Sequence, residues 1–257
     1  MEKPLILVTN DDGITAPGLR ALIRFMSEIG KVVVVAPDSP QSGMGHAITV
    51  DNTLYSSKVD IDLTDGAFEE YSCSGTPADC VKLALQEILD RRPDICISGI
   101  NHGSNASINV IYSGTMSAAI EAGIEGVPAI GFSLCDYAWD ANFEIAGEAI
   151  ESIVSEALKN KLPKGVVLNV NIPKIENGLP KGIKICRQAR ANWKEKFDKR
   201  TNPRGKEYYW LTGEFELLDK GEDTDEWALA NGYVSVVPTQ FDLTAHHAIQ
   251  ELNTWDL

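Results

Sequence analysis

The segment that decides the fold is Pro4 to Gly18, PLILVTNDDGITAPG, in which an apolar run ends at two adjacent aspartates. Residues 5–8 are four consecutive strand-forming apolar side chains, a pattern typical of a strand that is buried on both faces of a parallel sheet. Asp11 and Asp12 follow at the carboxyl end of this strand. Because open α/β sheets place their ligand crevice at that edge, the segment predicts an α/β fold with a site there.

The aspartate pair has two interpretations. Two like charges side by side repel each other unless a cation neutralises them, so Asp11 and Asp12 indicate half of a metal site. An equally good interpretation is an Asx turn in which a carboxylate caps the next helix. This loop alone leaves both open.

Strand-like and helix-like segments alternate along the rest of the chain. Pro17 at a helix start, apolar residues at helical spacing and a stop at Gly30 predict the first helix, and KVVVVA at residues 31–36 predicts the second strand. Further strands are predicted at residues 94–99, 127–134, 166–172 and 233–237, and further helices at 76–89, 115–125 and 143–158. This order predicts a doubly wound, mostly parallel sheet.

Two regions depart from the alternation. Residues 46–63 alternate in polarity and predict extra β structure. After residue 178, short β segments at 184–190 and 207–218 predict a β-hairpin or small β extension, and Pro238 is expected to turn the chain out of the last strand into an extended C-terminal tail. We therefore predict a core over residues 1–177 and a β-rich extension with the C-terminal segment over residues 178–257.

Composition limits the class of protein. The chain has 257 residues, 44% of them hydrophobic, which suits one large core, and a formal charge of -14, which argues against nucleic-acid polymers and anionic membranes as partners. Without an apolar run of eighteen residues or a signal pattern at the start, the protein is expected to be soluble and cytoplasmic. The five cysteines are widely spaced in apolar segments and are expected to be buried free thiols. The basic segment from Arg187 to Lys206 is expected to be a solvated arm.

Two more polar loops are expected at the edge that carries the aspartates. Residues 36–45 follow the second strand and residues 98–105 follow the strand that begins at Asp94. Carboxylate, hydroxyl and amide oxygens at three strand ends suit a hard ion such as Mg²⁺ or Mn²⁺.

A fourth segment offers groups for an anion beside that ion. Ser113, Gly114 and Thr115 precede a helix, so their hydroxyls and the free amides of its first turn could hold a phosphate. Plain N-capping is the alternative. Closeness in sequence to Asn101 and Asn105 favours the phosphate site.

Five segments in this order resemble the motif series of the SurE family of stationary-phase survival proteins. They are NDDGITAPG at 10–18, APDSPQSGMGHAIT at 36–49, GTPADCVKLAL at 75–85, SGINHGSN at 98–105 and YSGT at 112–115, with a weaker similarity at residues 242–245. The resemblance implies a Rossmann-like three-layer fold and metal-dependent hydrolysis of nucleoside 5′- or 3′-monophosphates. It also implies a homodimer or homotetramer with an exchanged C-terminal segment, and one Mg²⁺ or Mn²⁺ per subunit.

The resemblance also assigns roles to single positions. It places the metal ligands at Asp11, Asp12, Ser42 and Asn101, with the two aspartates as the catalytic residues. It places substrate and phosphate contacts at Asn10, Asn105, Ser113, Gly114 and Thr115. Met116 and Ser117 depart from the family's pattern, which bears on substrate preference more than on the chemistry. No role is assigned to His46, His102, His246 or His247.

The expected mechanism is attack on the phosphate by water held on the ion, with the general base unassigned. One alternative is an aspartyl-phosphate phosphatase with Asp11 or Asp12 as nucleophile, although such enzymes usually carry an Asp-x-Asp pair. Another is a nucleotide-sensing protein that binds without turnover. The basic segment also suggests the hypothesis of activity on short polyphosphates.

Overall fold

A nine-stranded sheet forms the centre of the fold in the structure, a computed structural model that describes residues 3–59, 66–138, 140–176 and 178–256. Its strands are β1 (Leu5–Thr9), β2 (Lys31–Pro37), β3 (Ser56–Lys58), β4 (Glu69–Cys73), β5 (Ile95–His102), β6 (Ala129–Leu134), β7 (Val166–Ile172), β8 (Ile183–Ile185) and β11 (Val234–Gln240). The spatial order is β3-β4-β2-β1-β5-β6-β7-β11-β8. All neighbours pair in parallel except β3 with β4 and β11 with β7.

Helices cover both faces of this sheet. The α-helices of the chain are α1 (Pro17–Ile29), α2 (Pro77–Leu83), α3 (Gly114–Ile124), α4 (Gly147–Asn160), α5 (Asp225–Ala230) and α6 (His246–Leu252), of which α6 buries no residue. Successive side chains of β1 enter different layers: Ile6 and Val8 pack in the core with α1 and α4, whereas Leu7 packs in the core with α2 and α3. The four apolar residues of β1 are thus buried on both faces, which confirms the three-layer, doubly wound, mostly parallel sheet.

The first helix shows how local signals set an element. Pro17 occupies its first turn, where the missing N–H costs nothing, and its apolar stripe buries Leu19, Leu22 and Met26. Gly18 lets the helix touch the sheet, because a Cβ there would lie 2.0 Å from the carbonyl oxygen of Ile100. This contact places the loop after β1 beside the end of β5.

The C-terminal third differs from the sequence prediction in two places. Strand β11 does not stop at Pro238 but runs through it to Gln240, so the predicted turn there was wrong. Pro238 pairs with Leu168 of β7, beyond the last residue of β11 that pairs with β8, Val236. A proline is tolerated there because the strand has a neighbour on one side only. The tail beyond β11 contains the short helix α6.

The basic segment is not an arm but mostly a strand. β9 (Ala191–Thr201) pairs antiparallel with β10 (Glu207–Leu217) in a two-stranded sheet, a hairpin that joins the main sheet through β8 and β11. Several of its basic groups meet acidic ones across the strands, including Lys194 with Glu216 at 2.6 Å and Lys199 with Glu207 at 2.6 Å. Most of the hairpin is exposed, as predicted for this segment.

Smaller differences concern the helices and the region before α2. The predicted helix at 76–89 is α2 followed by a π-helical turn at Ala84–Ile88, and the helix predicted from Phe143 begins with a 3-10 turn before α4. In the region of the predicted β structure at 46–63 only β3 is a strand among the described residues, and residues 60–65 lie outside them.

All five cysteines are free thiols, and four of them are buried. None of the helices within the described residues is long and apolar enough to cross a bilayer.

Candidate active site

Asp11 lies at the centre of the candidate site, directly after β1, with only 4% of its surface exposed. Its Oδ1 accepts a hydrogen bond of 2.5 Å from the Thr115 hydroxyl at the start of α3. The helix comes this close because residue 114 is glycine: a Cβ there would lie 2.6 Å from the Cβ of Asp11. Burial, together with the charge of Asp12, raises the pKa of Asp11 from 3.8 to about 6 despite the hydrogen bond from Thr115.

Asp12 is more accessible, with 20% of its side chain exposed. Its Oδ2 lies 3.4 Å from both the backbone nitrogen and the Nδ1 of His102, at the end of β5. The His102 ring meets the ring of Phe143 edge-on, with centroids 4.8 Å apart. Sequence reasoning gave His102 no role, yet the structure places it against one of the two aspartates.

Asn10 builds the loop that carries the aspartates. Its Nδ2 donates to the carbonyl of Gly13 at 3.0 Å, and its Oδ1 accepts from the Gly13 amide at 3.3 Å. Helix α1 begins after Ala16, which makes no side-chain cap. The alternative in which a carboxylate of Asp11 or Asp12 caps the next helix is therefore wrong, and the turn chemistry belongs to Asn10.

Asn101 and Ser42 approach from two other strand ends. The Nδ2 of Asn101 donates to the carbonyls of His102 and Gly103 at 3.0 and 2.9 Å, so Oδ1 is the atom that this side chain can offer a cation. Ser42 is exposed in the loop after β2. The amide of the preceding residue, Gln41, donates to the carbonyl of Asp11 at 2.7 Å, which fixes this loop against the aspartate loop.

The predicted phosphate residues have local hydrogen-bond partners. The Ser113 hydroxyl caps α3 by accepting from the Met116 amide at 3.0 Å, which is the plain capping role. The Asn105 side chain is buried, and its Nδ2 donates to the Ser133 hydroxyl at 2.8 Å. The Asn105 backbone is held by Asn171 and Asn169 through bonds of 2.8 and 2.9 Å.

This buried polar network was missed by sequence reasoning, although a signal was present. β7 reads VVLNVNI, and two asparagines in a strand buried on both faces require hydrogen-bond partners. The side chains of Asn169 and Asn171 hold the loop after β5 beside the candidate site.

Two buried carboxylates attach the loop after β2 to the helices behind it. Glu121 of α3 binds His46 of the loop at 2.8 Å and Lys82 of α2 at 2.6 Å. Burial of Glu121 raises its pKa, but these two partners outweigh that effect and leave the pKa below 4.5. Asp79 of α2 accepts a 2.7 Å bond from the Thr49 hydroxyl of the same loop. Neither carboxylate was singled out from the sequence.

The carboxylate, hydroxyl and amide oxygens of the candidate ligands determine which ion the site suits. Within the described residues no three His, Cys, Asp or Glu side chains cluster as metal ligands, so an ion here would depend on two carboxylates supplemented by hydroxyl and amide oxygens. That all-oxygen set suits Mg²⁺ or Mn²⁺ rather than zinc. The raised pKa of Asp11 supports this fit, because a cation would stabilise the ionised form that burial disfavours.

Comparison with known proteins gives one consistent result. A sequence profile described as Survival protein SurE matches residues 6–195. The 5′-nucleotidase SurE of Flavobacterium psychrophilum is 69% identical over 257 residues, covering 100% of this chain and 99% of that protein. The 5′-nucleotidase SurE of Cytophaga hutchinsonii is 62% identical over 98% of this chain and 97% of its own length.

A solved structure agrees with the fold. The crystal structure of the SurE protein from Aquifex aeolicus is 41% identical in sequence and superposes with a TM-score of 0.83, covering 97% of this chain and 98% of that one. The SurE family profile matches residues 6–195, and a relative with that name is 69% identical over the whole chain. The chain therefore belongs to the SurE family.

Proposed function

We propose that this chain is a divalent-metal-dependent phosphomonoesterase that hydrolyses nucleoside 5′-monophosphates to nucleoside and phosphate. Relatives at 62% and 69% identity carry the name 5′-nucleotidase SurE. The observation that carries the proposal is the buried Asp11 carboxylate, which lies against the amino end of α3 at the carboxyl edge of the sheet. An acidic ion site beside a helix N-terminus is an arrangement that can hold a phosphate and its counter-ion together.

The ion would be held by Asp11, Asp12, Ser42 and Asn101, one Mg²⁺ or Mn²⁺ per subunit. When bound, such an ion lowers the pKa of water and offsets the negative charge on phosphoryl oxygens. Thr115 orients Asp11 through its hydroxyl, and His102 orients Asp12 through its backbone N–H. Each aspartate is thereby fixed before substrate arrives, which lowers the cost of assembling the site.

The phosphate would lie at the first turn of α3, where helix N–H groups have no partner within the helix. Gly114 contributes one of those amides, and Ser113 shapes the turn by capping it. Thr115, whose hydroxyl and backbone N–H both donate to Asp11, joins the phosphate turn to the ion site. Asn105 and Asn10 are the remaining substrate-site residues. Their side chains fix the two loops on either side of the phosphate. No general base is assigned.

Phosphate release from a panel of nucleoside monophosphates with Mg²⁺, with Mn²⁺ and without metal tests the proposal. We expect activity with metal, none in excess chelator, and a loss of about 10³-fold or more in Asp12→Asn with the fold retained. Asp38→Asn, an exposed carboxylate in the adjacent loop, is the matched control and should keep full activity. Full activity of Asp12→Asn or of chelated enzyme contradicts the metal scheme.

Two measurements on the same purified protein distinguish this proposal from the two alternatives, an aspartyl-phosphate phosphatase and a nucleotide sensor. Isotope from labelled water that enters an aspartate carboxylate, instead of passing directly to phosphate, would favour the aspartyl-phosphate route. Tight nucleotide binding by calorimetry without phosphate release would favour a sensor.

Nucleoside 3′-monophosphates and short polyphosphates are further proposed substrates. For polyphosphate the structure adds little support, because Lys194 and Lys199 are paired with glutamates across the hairpin. Reversing the charges of Lys194, Lys196 and Lys199 should reduce polyphosphate hydrolysis relative to mononucleotide hydrolysis. An unchanged ratio refutes the involvement of the hairpin charges.

We also propose that the C-terminal segment is exchanged between copies in a homodimer or homotetramer. Helix α6 buries none of its residues against its own chain, Leu243 is 92% exposed and Trp255 is 58% exposed. Apolar side chains left open on a tail are typical of an interface with a second copy. Removing residues 245–257 should shift the mass in solution to that of a smaller assembly while the circular dichroism spectrum stays folded, and an unchanged mass would contradict the exchange.

A further inference from the structure

A cavity of about 360 Å³ opens between the candidate site and the hairpin. Two of its wall residues are direct sequence neighbours of predicted site residues: Gly43 follows Ser42 and Tyr112 precedes Ser113. The other lining residues come from the hairpin and include Trp193. The volume falls in the range of about 300–1,000 Å³ that is usual for small-molecule pockets.

The aromatic wall from the hairpin is held in place. Nε1 of Trp193 donates to Oδ1 of Asn109 at 2.8 Å, and the Trp193 ring meets Phe215 edge-on with centroids 5.4 Å apart. The Trp193 residue nevertheless stays 36% exposed. A fixed but open aromatic surface is preorganised for stacking, because little side-chain entropy remains to be lost on binding.

Tyr112 lines the cavity on the side of the candidate site. Its carbonyl accepts from the Gly45 amide at 3.2 Å and its amide donates to the Asn109 carbonyl at 3.0 Å, so the backbone is fixed to the loop after β2 and to the preceding turn. The Tyr112 residue is 53% exposed. Asn109 thus connects both aromatic walls, through its side chain to one and through its carbonyl to the other.

Part of the cavity lining is a notch in the hairpin. Gly213 of β10 pairs with Glu195 of β9, so the position opposite Glu195 has no side chain. A Cβ at Gly213 would lie 3.0 Å from the Lys194 carbonyl. The Glu195 carboxylate on the wall accepts hydrogen bonds and repels anions, so it suits a ligand edge with N–H donors and disfavours a phosphate in the notch.

We infer that this cavity binds the nucleobase of the substrate, with the base stacked between Tyr112 and Trp193 and the phosphate directed toward Ser113. The inference rests on the proposed nucleotidase function and names the part of the molecule that recognises the nucleoside. A flat aromatic ligand fits the two aromatic walls, and stacking tolerates any base because every base has a π-face. Because Tyr112 directly precedes Ser113, a ligand that contacts both the cavity and the phosphate loop must carry a base as well as a phosphate, which favours nucleoside monophosphates over smaller phosphate esters.

The test compares a nucleoside 5′-monophosphate with ribose 5-phosphate, which carries the same ester but no base. In Tyr112→Ala and in Trp193→Ala we expect kcat/KM for the nucleotide to fall about 5- to 150-fold, the range that corresponds to loss of one stacking contact. The value for ribose 5-phosphate should stay within about twofold. Trp193→Phe, which keeps a ring, should recover part of the nucleotide activity, and Tyr208→Ala, elsewhere on the hairpin, should change neither value.

Calorimetric binding of the same two compounds gives a readout that needs no turnover. If wild-type protein hydrolyses neither compound, the proposed function fails, and weaker nucleotide binding in the two alanine variants would still support the cavity. An unchanged ratio between nucleotide and ribose 5-phosphate in both variants overturns the inference. Equal loss for both compounds with a changed mass in solution also overturns it, because the aromatic residues would then belong to a contact between copies.

Discussion

Replacing Asp11 by asparagine should stabilise the metal-free protein while removing its activity. Asp11 is buried, and its pKa lies near 6 instead of 3.8 because burial disfavours the charge. One pKa unit corresponds to about 1.4 kcal/mol, so keeping this carboxylate ionised in the folded chain costs about 3 kcal/mol above pH 6. Asparagine is nearly isosteric, and its Oδ1 can still accept the hydrogen bond from the Thr115 hydroxyl. Because backbone N–H groups also donate to this carboxylate and asparagine keeps one acceptor oxygen only, about 3 kcal/mol is the upper limit of the gain.

The pH dependence has a definite sign. Between pH 3.8 and about 6 the folded protein holds a proton on Asp11 that the unfolded chain has lost. This group therefore lowers the free energy of unfolding progressively as the pH rises through that window, and the loss is complete above about pH 6. At pH 8 in chelator, Asp11→Asn should exceed wild type by up to about 3 kcal/mol, and the two should converge toward pH 4.

Urea unfolding at several pH values in excess chelator measures this difference. Asp38→Asn, an exposed carboxylate, is the control and should follow wild type. Added Mn²⁺ should stabilise wild type far more than Asp11→Asn, because a ligand that binds only the folded state raises its stability. Parallel pH profiles for wild type and Asp11→Asn would refute the reasoning.

Three further substitutions test the packing that supports the site. Arg20 and Glu70 form an ion pair of 2.6 Å in which both side chains are 11% exposed. Arg20→Met should lower the free energy of urea unfolding by about 3–5 kcal/mol, because it leaves the Glu70 carboxylate without its cation, and replacing both residues by methionine should recover much of the loss. Asp79→Asn should cost about 1–3 kcal/mol and speed proteolysis of the loop after β2, because one of its buried acceptors becomes a donor; unchanged cleavage would contradict its role. Gly18→Ala should cost about 3 kcal/mol or more, seen as lost soluble yield and a lower Tm, because its Cβ would meet the Ile100 carbonyl at 2.0 Å.

Sequence reasoning succeeded where local chemistry decides the structure. The apolar run of β1 and the proline and glycine that bound α1 carry their own signals, and both elements lie where they were predicted. It failed where a distant partner decides. β4 reads EEYSC, which has no apolar signal, and becomes a strand by pairing with β2, while β11 continues through Pro238 because β7 lies alongside it.

The same division holds at the candidate site. The loops were found from their composition, because glycine, aspartate and asparagine cluster at strand ends. The hydrogen-bond partner of each side chain could not be predicted, because the partners lie far apart in the sequence. Thr115 is 104 positions from Asp11, and His46 is 75 positions from Glu121. Whether the assigned residues bind metal and phosphate stays a prediction.

Among the strands of the described residues, β9 and β10 pair only with each other, yet the chain leaves and rejoins the main sheet at two adjacent strands, β8 and β11. The root of the hairpin is therefore anchored in the sheet and by the Trp193–Asn109 hydrogen bond, while the part beyond that contact is free of strand pairing with the core. Hairpins from related proteins could be transplanted at this junction without disturbing the aspartate loop, which would allow the outer wall of the cavity to diversify while the reaction chemistry stays constant.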